Sequence, residues 1–163
     1  MNIPQEADVV IIGGGVIGCS VAYHLGKLGW KNIVLIERKK LTSGTTWHAA
    51  GLIAQLRATQ NMTRLAKYSQ ELYWDLEKET GVVTGFKRNG SMTVALTEER
   101  LEELNRQADM ARAYDVEIEN IGNKEIKKRY PHLNTEDVLG GVWLPKDGPV
   151  SYTHLRAHET SQN

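Results

Sequence analysis

The order of apolar and polar positions divides this chain into one strand–helix–strand unit and a later group of helices and short strands. Val9-Val10-Ile11-Ile12, after Asp8, is an unbroken β-branched run, the pattern of a strand covered on both faces. Beyond Gly13-Gly14-Gly15, the residues Val16, Ile17, Val21, Ala22, Leu25 and Leu28 recur at helical spacing, and Gly29 stands where a helix ends. Ile33-Val34-Leu35-Ile36, closed by Glu37, is the second strand. From Met62 to Thr80, Leu65, Tyr68, Leu72 and Leu76 predict an amphipathic helix stopped by Gly81. Phe86-Lys87-Arg88, Asn89-Gly90 and Ser91 to Leu96 predict a β-hairpin about a two-residue turn. Thr97 opens a helix with Leu101, Leu104, Ala108 and Ala111 on one face, although Arg100 replaces the acid of a full capping box. Val116 to Ile121 reads as a strand, Lys124 to Tyr130 as a helix stopped by Pro131, and Val138 to Leu144 as a last strand.

This order does not continue a plain strand–helix alternation. A simple nicotinamide domain would bring its third parallel strand soon after Glu37. The chain instead leaves the nucleotide sheet, which favours a flavoprotein with an interleaved substrate domain. The fold class expected is α/β, a truncated Rossmann-like FAD-binding domain with part of a β-rich substrate domain. Residues 1–60 form the βαβ unit and flavin loop, and 61–149 the helix, hairpin and later elements.

The turn between the first strand and helix carries chemistry. Gly13, Gly15 and Gly18 fit the G-x-G-x-x-G spacing: one for the tight turn, one for close approach of a pyrophosphate, one for helix–strand packing. The helix beginning at Val16 and Ile17 aims free N–H groups and a positive dipole end at such phosphates. Glu37, nineteen residues past Gly18, ends the next strand, where a carboxylate can accept from both hydroxyls of an adenosine ribose. Arg38 follows it. The Thr42-Ser43-Gly44-Thr45-Thr46 loop can donate hydroxyl and backbone hydrogen bonds to phosphate and ring atoms. Cys19, in the first helical turn, reads as a small packing residue, and His24 as a residue without chemistry.

Composition narrows the classes. Twenty basic and twenty acidic side chains leave no field for nucleic acid, and 40% hydrophobic with 25% charged residues is ordinary for a globular protein. No apolar run approaches a bilayer span, and the first residues resemble neither a secretory nor a mitochondrial leader. One cysteine fits a reducing compartment, here the cytoplasm.

The glycine turn, Ala22, Gly29, Glu37 and the run Ser43-Gly44-Thr45-Thr46-Trp47-His48-Ala49-Ala50-Gly51-Leu52 together resemble the dimethylglycine and sarcosine dehydrogenases. These sit within the D-amino-acid-oxidase-like group of FAD enzymes. The likeness continues through Thr80-Gly81, Gly90-Ser91 and Arg129-Tyr130-Pro131 to Asp147-Gly148. It implies FAD as cofactor, with the histidine of the Trp-His-Ala-Ala-Gly run, His48, joined covalently to the flavin 8α-methyl carbon. It implies hydride transfer from an N-methyl amine to flavin, leaving a demethylated amine and formaldehyde or methylene-folate, with tetrahydrofolate a partner of longer relatives. The cofactor residues expected are Gly13, Gly14, Gly15, Val16, Ile17, Gly18, Glu37, Arg38, Gly44, Thr45, Thr46, His48, Gly51 and Leu52. No catalytic acid, base or metal ligand is assigned.

After Gly148 the likeness stops. Val150 to Thr160 reads as translated transposon-end adapter DNA, so 150–163 are expected to be foreign; the alternative is a metal pair of His154 and His158. Two other functions compete. An NAD-dependent dehydrogenase shares Gly13 to Gly18 and Glu37 but leaves the Trp47-His48 run unexplained. A non-catalytic regulatory relative would keep the fold.

Overall fold

The structure is a computed structural model and describes residues 4–150. Of the expected tail 150–163, Val150 alone is described; the rest, with its histidine pair, lies outside the described residues. The chain forms two compact units, the first ending at Ala50 and the second beginning at Gly51. Residues 51–60, grouped above with the flavin loop, belong to the second.

In the first unit, β1 (Val9–Ile12) and β2 (Ile33–Ile36) lie parallel in the register Val9↔Ile33 to Ile12↔Ile36, joined by α1 (Val16–Lys27). Gly29 has φ +92° and follows the Leu28 cap, as the sequence predicts. Burial on both faces is not observed. Ile11 is buried beneath α1, but Val10 and Ile12 on the opposite face are 54% and 88% exposed. Among the described residues this sheet has two strands and one covering helix, so the second apolar face stays open.

The second unit opens with β3 (Leu52–Ile53) and α2 (Gln60–Thr80), which is capped by the Thr59 hydroxyl and closed by Gly81 at φ 71°. Its sheet orders β4 (Ser91–Ala95), β6 (Gly140–Leu144) and β5 (Glu119–Ile121) antiparallel, with β6 central. Alternation along β6 makes two cores. Val142 and Leu144 join Leu104, Ala108 and Ala111 of α3 (Glu98–Ala113), while Trp143 covers Ile126 of α4 (Asn123–Arg129) with Ile121 and Val138. Arg129 fixes α4 to β5 through Glu119 at 2.7 Å, with its guanidinium over the Trp143 ring.

The hairpin at Asn89-Gly90 does not form. β4 pairs with β6 in the register Ser91↔Leu144, and the segment before it bonds to the chain after β6, Lys87 N–H to Pro149 O and Gly90 N–H to Asp147 O. Period-two alternation identifies a strand but not its partner, and the apolar β6 offers more buried area than Phe86-Lys87-Arg88. A side chain at Gly90 would also overlap the Trp143 ring. The strand at 116–121 shortens to Glu119–Ile121, because Val116 and Ile118 turn into the α3 core.

Helix α2 is rotated from expectation. Leu65 is 59% exposed, whereas Thr63 and Gln70 are fully buried. Thr63 accepts from Arg57 N–H and donates to Arg57 O, and Lys67 reaches the Tyr114 and Asp115 carbonyls at the end of α3. These polar anchors choose the buried side. The last strand, β7 (Gly148–Pro149), pairs antiparallel with β3.

Candidate cofactor site

The turn between β1 and α1 is held from three directions. Gly13 has φ +105°, closed to side chains by Cβ–carbonyl crowding, and its N–H donates to Ile36 O at 2.8 Å. A methyl at Gly18 would overlap the Gly13 carbonyl oxygen, and one at Gly14 would run into Leu41. The first and last motif glycines therefore do the jobs the spacing predicts. Gly14, outside the motif, is needed because the chain after β2 folds back over it. Thr42 N–H donates to Gly14 O at 2.8 Å, with Thr42 at φ 58°.

Helix α1 begins without a side-chain cap on Gly15. Its first N–H groups have no carbonyl one turn back. The Val16 N–H finds the Thr46 hydroxyl at 3.0 Å, thirty residues on. Those of Ile17 and Gly18 remain at the helix start, and Cys19 N–H begins the regular ladder on Gly15 O. At Gly15 the nearest neighbour to an added methyl is the Thr46 hydroxyl at 3.3 Å. Bare backbone, a helix dipole and one hydroxyl form a cradle that suits a pyrophosphate.

Glu37 is tied to that cradle. Its Oε2 accepts the Gly14 N–H at 2.7 Å and its Oε1 the Lys39 N–H at 3.0 Å. These bonds, Gly14 first, hold its pKa below the ordinary carboxylate value, with Arg38 assisting. Each carboxylate oxygen has a second lone pair, so the group is oriented and still able to accept from a ribose. The Gly44 carbonyl accepts from His48 Nδ1 at 3.1 Å across the 3-10 turn Thr45–His48. A carbonyl only accepts, so Nδ1 carries a proton in this bond. The structure thus brings together Gly13 to Gly18, Glu37, Arg38 and Thr46, with Gly44, Thr45 and His48 on the loop stapled to them. Gly51 and Leu52 lie in the second unit, where Leu52 pairs with Pro149 and Gly51 O accepts from Val150 N–H.

A cradle of this make is common to many nucleotide folds; comparison with known proteins narrows it. The family model for FAD dependent oxidoreductases of the DAO type matches residues 8–157. This chain belongs to that family. Among curated members of known name, mouse mitochondrial sarcosine dehydrogenase is 44% identical over 149 residues, 91% of this chain and 16% of its own length. Rat mitochondrial dimethylglycine dehydrogenase is 41% identical over 90% of this chain and 17% of its own. The mouse mitochondrial pyruvate dehydrogenase phosphatase regulatory subunit is 41% identical over 99% of this chain and 19% of its own. The chain therefore spans about one-sixth of the length of these relatives. Among solved structures, L-proline dehydrogenase from P. horikoshii superposes with a TM-score of 0.87 at 26% identity, covering 98% of this chain and 42% of that one. The fold is that of DAO-type FAD oxidoreductases.

Sequence reasoning missed two parts of this arrangement. Leu41 carries no motif signal. Asp147, which entered only through the family likeness, is 2% exposed and joins two distant segments, Gln55 N–H to Oδ1 at 3.0 Å and Ser91 Oγ–H to Oδ2 at 2.7 Å. Burial pushes its pKa up against those bonds; Arg57 and the Gln70 amide favour the charged form. The amide acts at a distance, since neither of its polar atoms meets hydrogen-bond geometry. Among the described residues no cluster of three or more His, Cys, Asp or Glu could hold a metal, and no helix is long and apolar enough to cross a membrane.

Proposed function

We propose that this chain is the FAD-holding portion of an oxidoreductase that oxidises a small N-methyl amino acid, sarcosine- or dimethylglycine-like, at the N-methyl carbon. The nucleotide half of the reading is carried by the bond from Gly14 N–H to Glu37 Oε2, which joins that carboxylate to the glycine turn, and the family match supports FAD over NAD. The identity to sarcosine and dimethylglycine dehydrogenases supports the substrate class.

Gly13, Gly14, Gly15, Val16, Ile17 and Gly18 present backbone N–H groups and room to the pyrophosphate. Glu37 accepts from the ribose hydroxyls, and Arg38 keeps that carboxylate ionised. Thr46, with Gly44 and Thr45, supplies loop donors beside the helix start. Gly51 and Leu52 enter the proposal through the sequence run. When bound, the flavin supplies the two-electron acceptor for the substrate hydride. His48 holds a proton on Nδ1 against Gly44 O, and its ring is the proposed point of covalent attachment to the flavin. In the longer protein the one-carbon unit leaves as formaldehyde or passes to tetrahydrofolate. Cys19, a lone thiol, suits the reducing cytoplasm.

The test uses the full-length protein containing this segment. Flavin should stay with the polypeptide through acid precipitation, and His48→Ala should release it to the supernatant. Wild-type protein that loses all its flavin in acid refutes the covalent link. Wild-type protein that binds no flavin refutes the cofactor reading. A second reading, a non-catalytic regulatory subunit, is favoured by the 41% identity to the phosphatase regulatory subunit across 99% of the chain. Flavin-bearing protein without turnover on sarcosine or dimethylglycine selects it.

A further inference from the structure

We propose that Asp147 is a positioning residue, which sets the backbone of Gly51 to Gln55 where the chain leaves the flavin loop. This rests on the cofactor reading above. Residues 147–150 meet 51–55 at four points: Asp147 Oδ1 with Gln55 N–H, Gly148 with Ile53, Pro149 with Leu52, and Val150 N–H with Gly51 O. A two-residue ladder is too short to hold its own register. The buried carboxylate adds a charge-assisted bond just past the ladder's end, stronger than a neutral one. It is in turn fixed by Ser91 Oγ–H at the head of β4, and the Asp147 carbonyl by Gly90 N–H. The clasp is therefore anchored on the β4–β6 sheet on one side and grips the 51–55 segment on the other. Gly51 and Leu52, the last residues of the proposed cofactor run, are held by it, three and four positions along the chain from His48.

An ion in this place needs a reason. Asparagine in the same shape could accept from Gln55 and donate to the Ser91 hydroxyl without burying charge. The carboxylate accepts both donors at once and also attracts Arg57, on the same segment two residues beyond Gln55. It thus orients 55–57 as well as pinning it.

The experiment compares wild-type, Asp147→Ala, Asp147→Asn and Asp147→Ser full-length protein, each checked for folding by circular dichroism. Flavin per folded polypeptide and kcat and KM for the amine are then measured. Losing a charge-assisted bond corresponds to roughly a tenfold effect or more, so Asp147→Ala should retain about one-tenth of the flavin. Asp147→Asn, which keeps a neutral acceptor for Gln55 but loses the attraction for Arg57, should recover part of it, between the alanine variant and wild type. Should Asp147→Ala not fold, Asp147→Ser, polar but too short to reach Gln55 N–H, carries the same expectation as the alanine variant. Folded Asp147→Ala or Asp147→Ser with full flavin overturns the proposal. So does Asp147→Asn as poor as alanine, or failure of both short variants to fold, which leaves a purely structural role. Wild-type protein without flavin fails the cofactor reading itself and takes this inference with it.

Discussion

Glu37, proposed above to meet the cofactor ribose, is also scaffold. Its carboxylate is oriented by the Gly14 and Lys39 N–H groups, which favour the ionised form and lower its pKa. A group depressed in the folded state contributes stability above its unfolded pKa and loses it as pH falls through the folded value. The stability carried by these bonds should therefore be present from neutral pH to about the ordinary 4.5 and be lost below it. Glu37→Gln should remove most of that acid dependence, as urea denaturation across a pH series would register. A glutamine variant with the wild-type pH profile would mean another group titrates. Gly13, Gly18 and Glu37 were legible in the sequence because their roles depend on local spacing. Asp147 was not, because its two partners lie 92 and 56 residues away and no local pattern marks a carboxylate for burial.

Among the elements, α1 gives a contrast within a single helix. A methyl at Gly18 would overlap the Gly13 carbonyl, so Gly18→Ala must push α1 off β1 at a cost of about 1–3 kcal/mol, the scale of overpacking. At Gly26, in the same helix, nothing lies within 4 Å of an added methyl. Gly26→Ala should stabilise by about 0.5–1 kcal/mol through backbone entropy alone. Urea denaturation of the two variants should give opposite signs; equal signs would mean that α1 does not lie against the glycine turn as described. The same scale explains what sequence periodicity conveyed and what it withheld. Helix and strand positions followed from spacing, including the cap at Thr97. Partners did not: Ser91–Ala95 seeks the β6 strand over its nearest neighbour, and α2 turns its Thr63 and Gln70 face inward. Both choices are made by atoms far along the chain.

At the level of the whole molecule, the open face of the β1–β2 sheet governs behaviour in solution. Val10, Ile12 and Ile36 present apolar surface beside strand edges with no third strand among the described residues, a surface that would be worth about 1.5–3 kcal/mol per side chain if covered. The 163-residue chain by itself should therefore self-associate, and show no turnover on sarcosine or dimethylglycine. Ile12→Thr with Ile36→Thr should shift its elution toward monomer in size-exclusion chromatography while leaving the second unit folded. An unchanged elution volume would place the association elsewhere. The strand pattern had implied cover on both faces; it reports what the residues require rather than what the described chain supplies.

The clasp between residues 51–55 and 147–150 also imposes an order in time. The Gln55–Asp147 bond spans 92 residues, so a ribosome delivers the glycine turn and His48 long before Asp147 leaves the exit tunnel. The β1–α1–β2 unit depends on neighbours in sequence and can condense early, whereas the backbone at Gly51 and Leu52 stays unfastened until the nascent chain reaches Val150. Cofactor capture should then wait for residue 150, and ribosomes stalled before codon 147 should carry chains that hold flavin weakly.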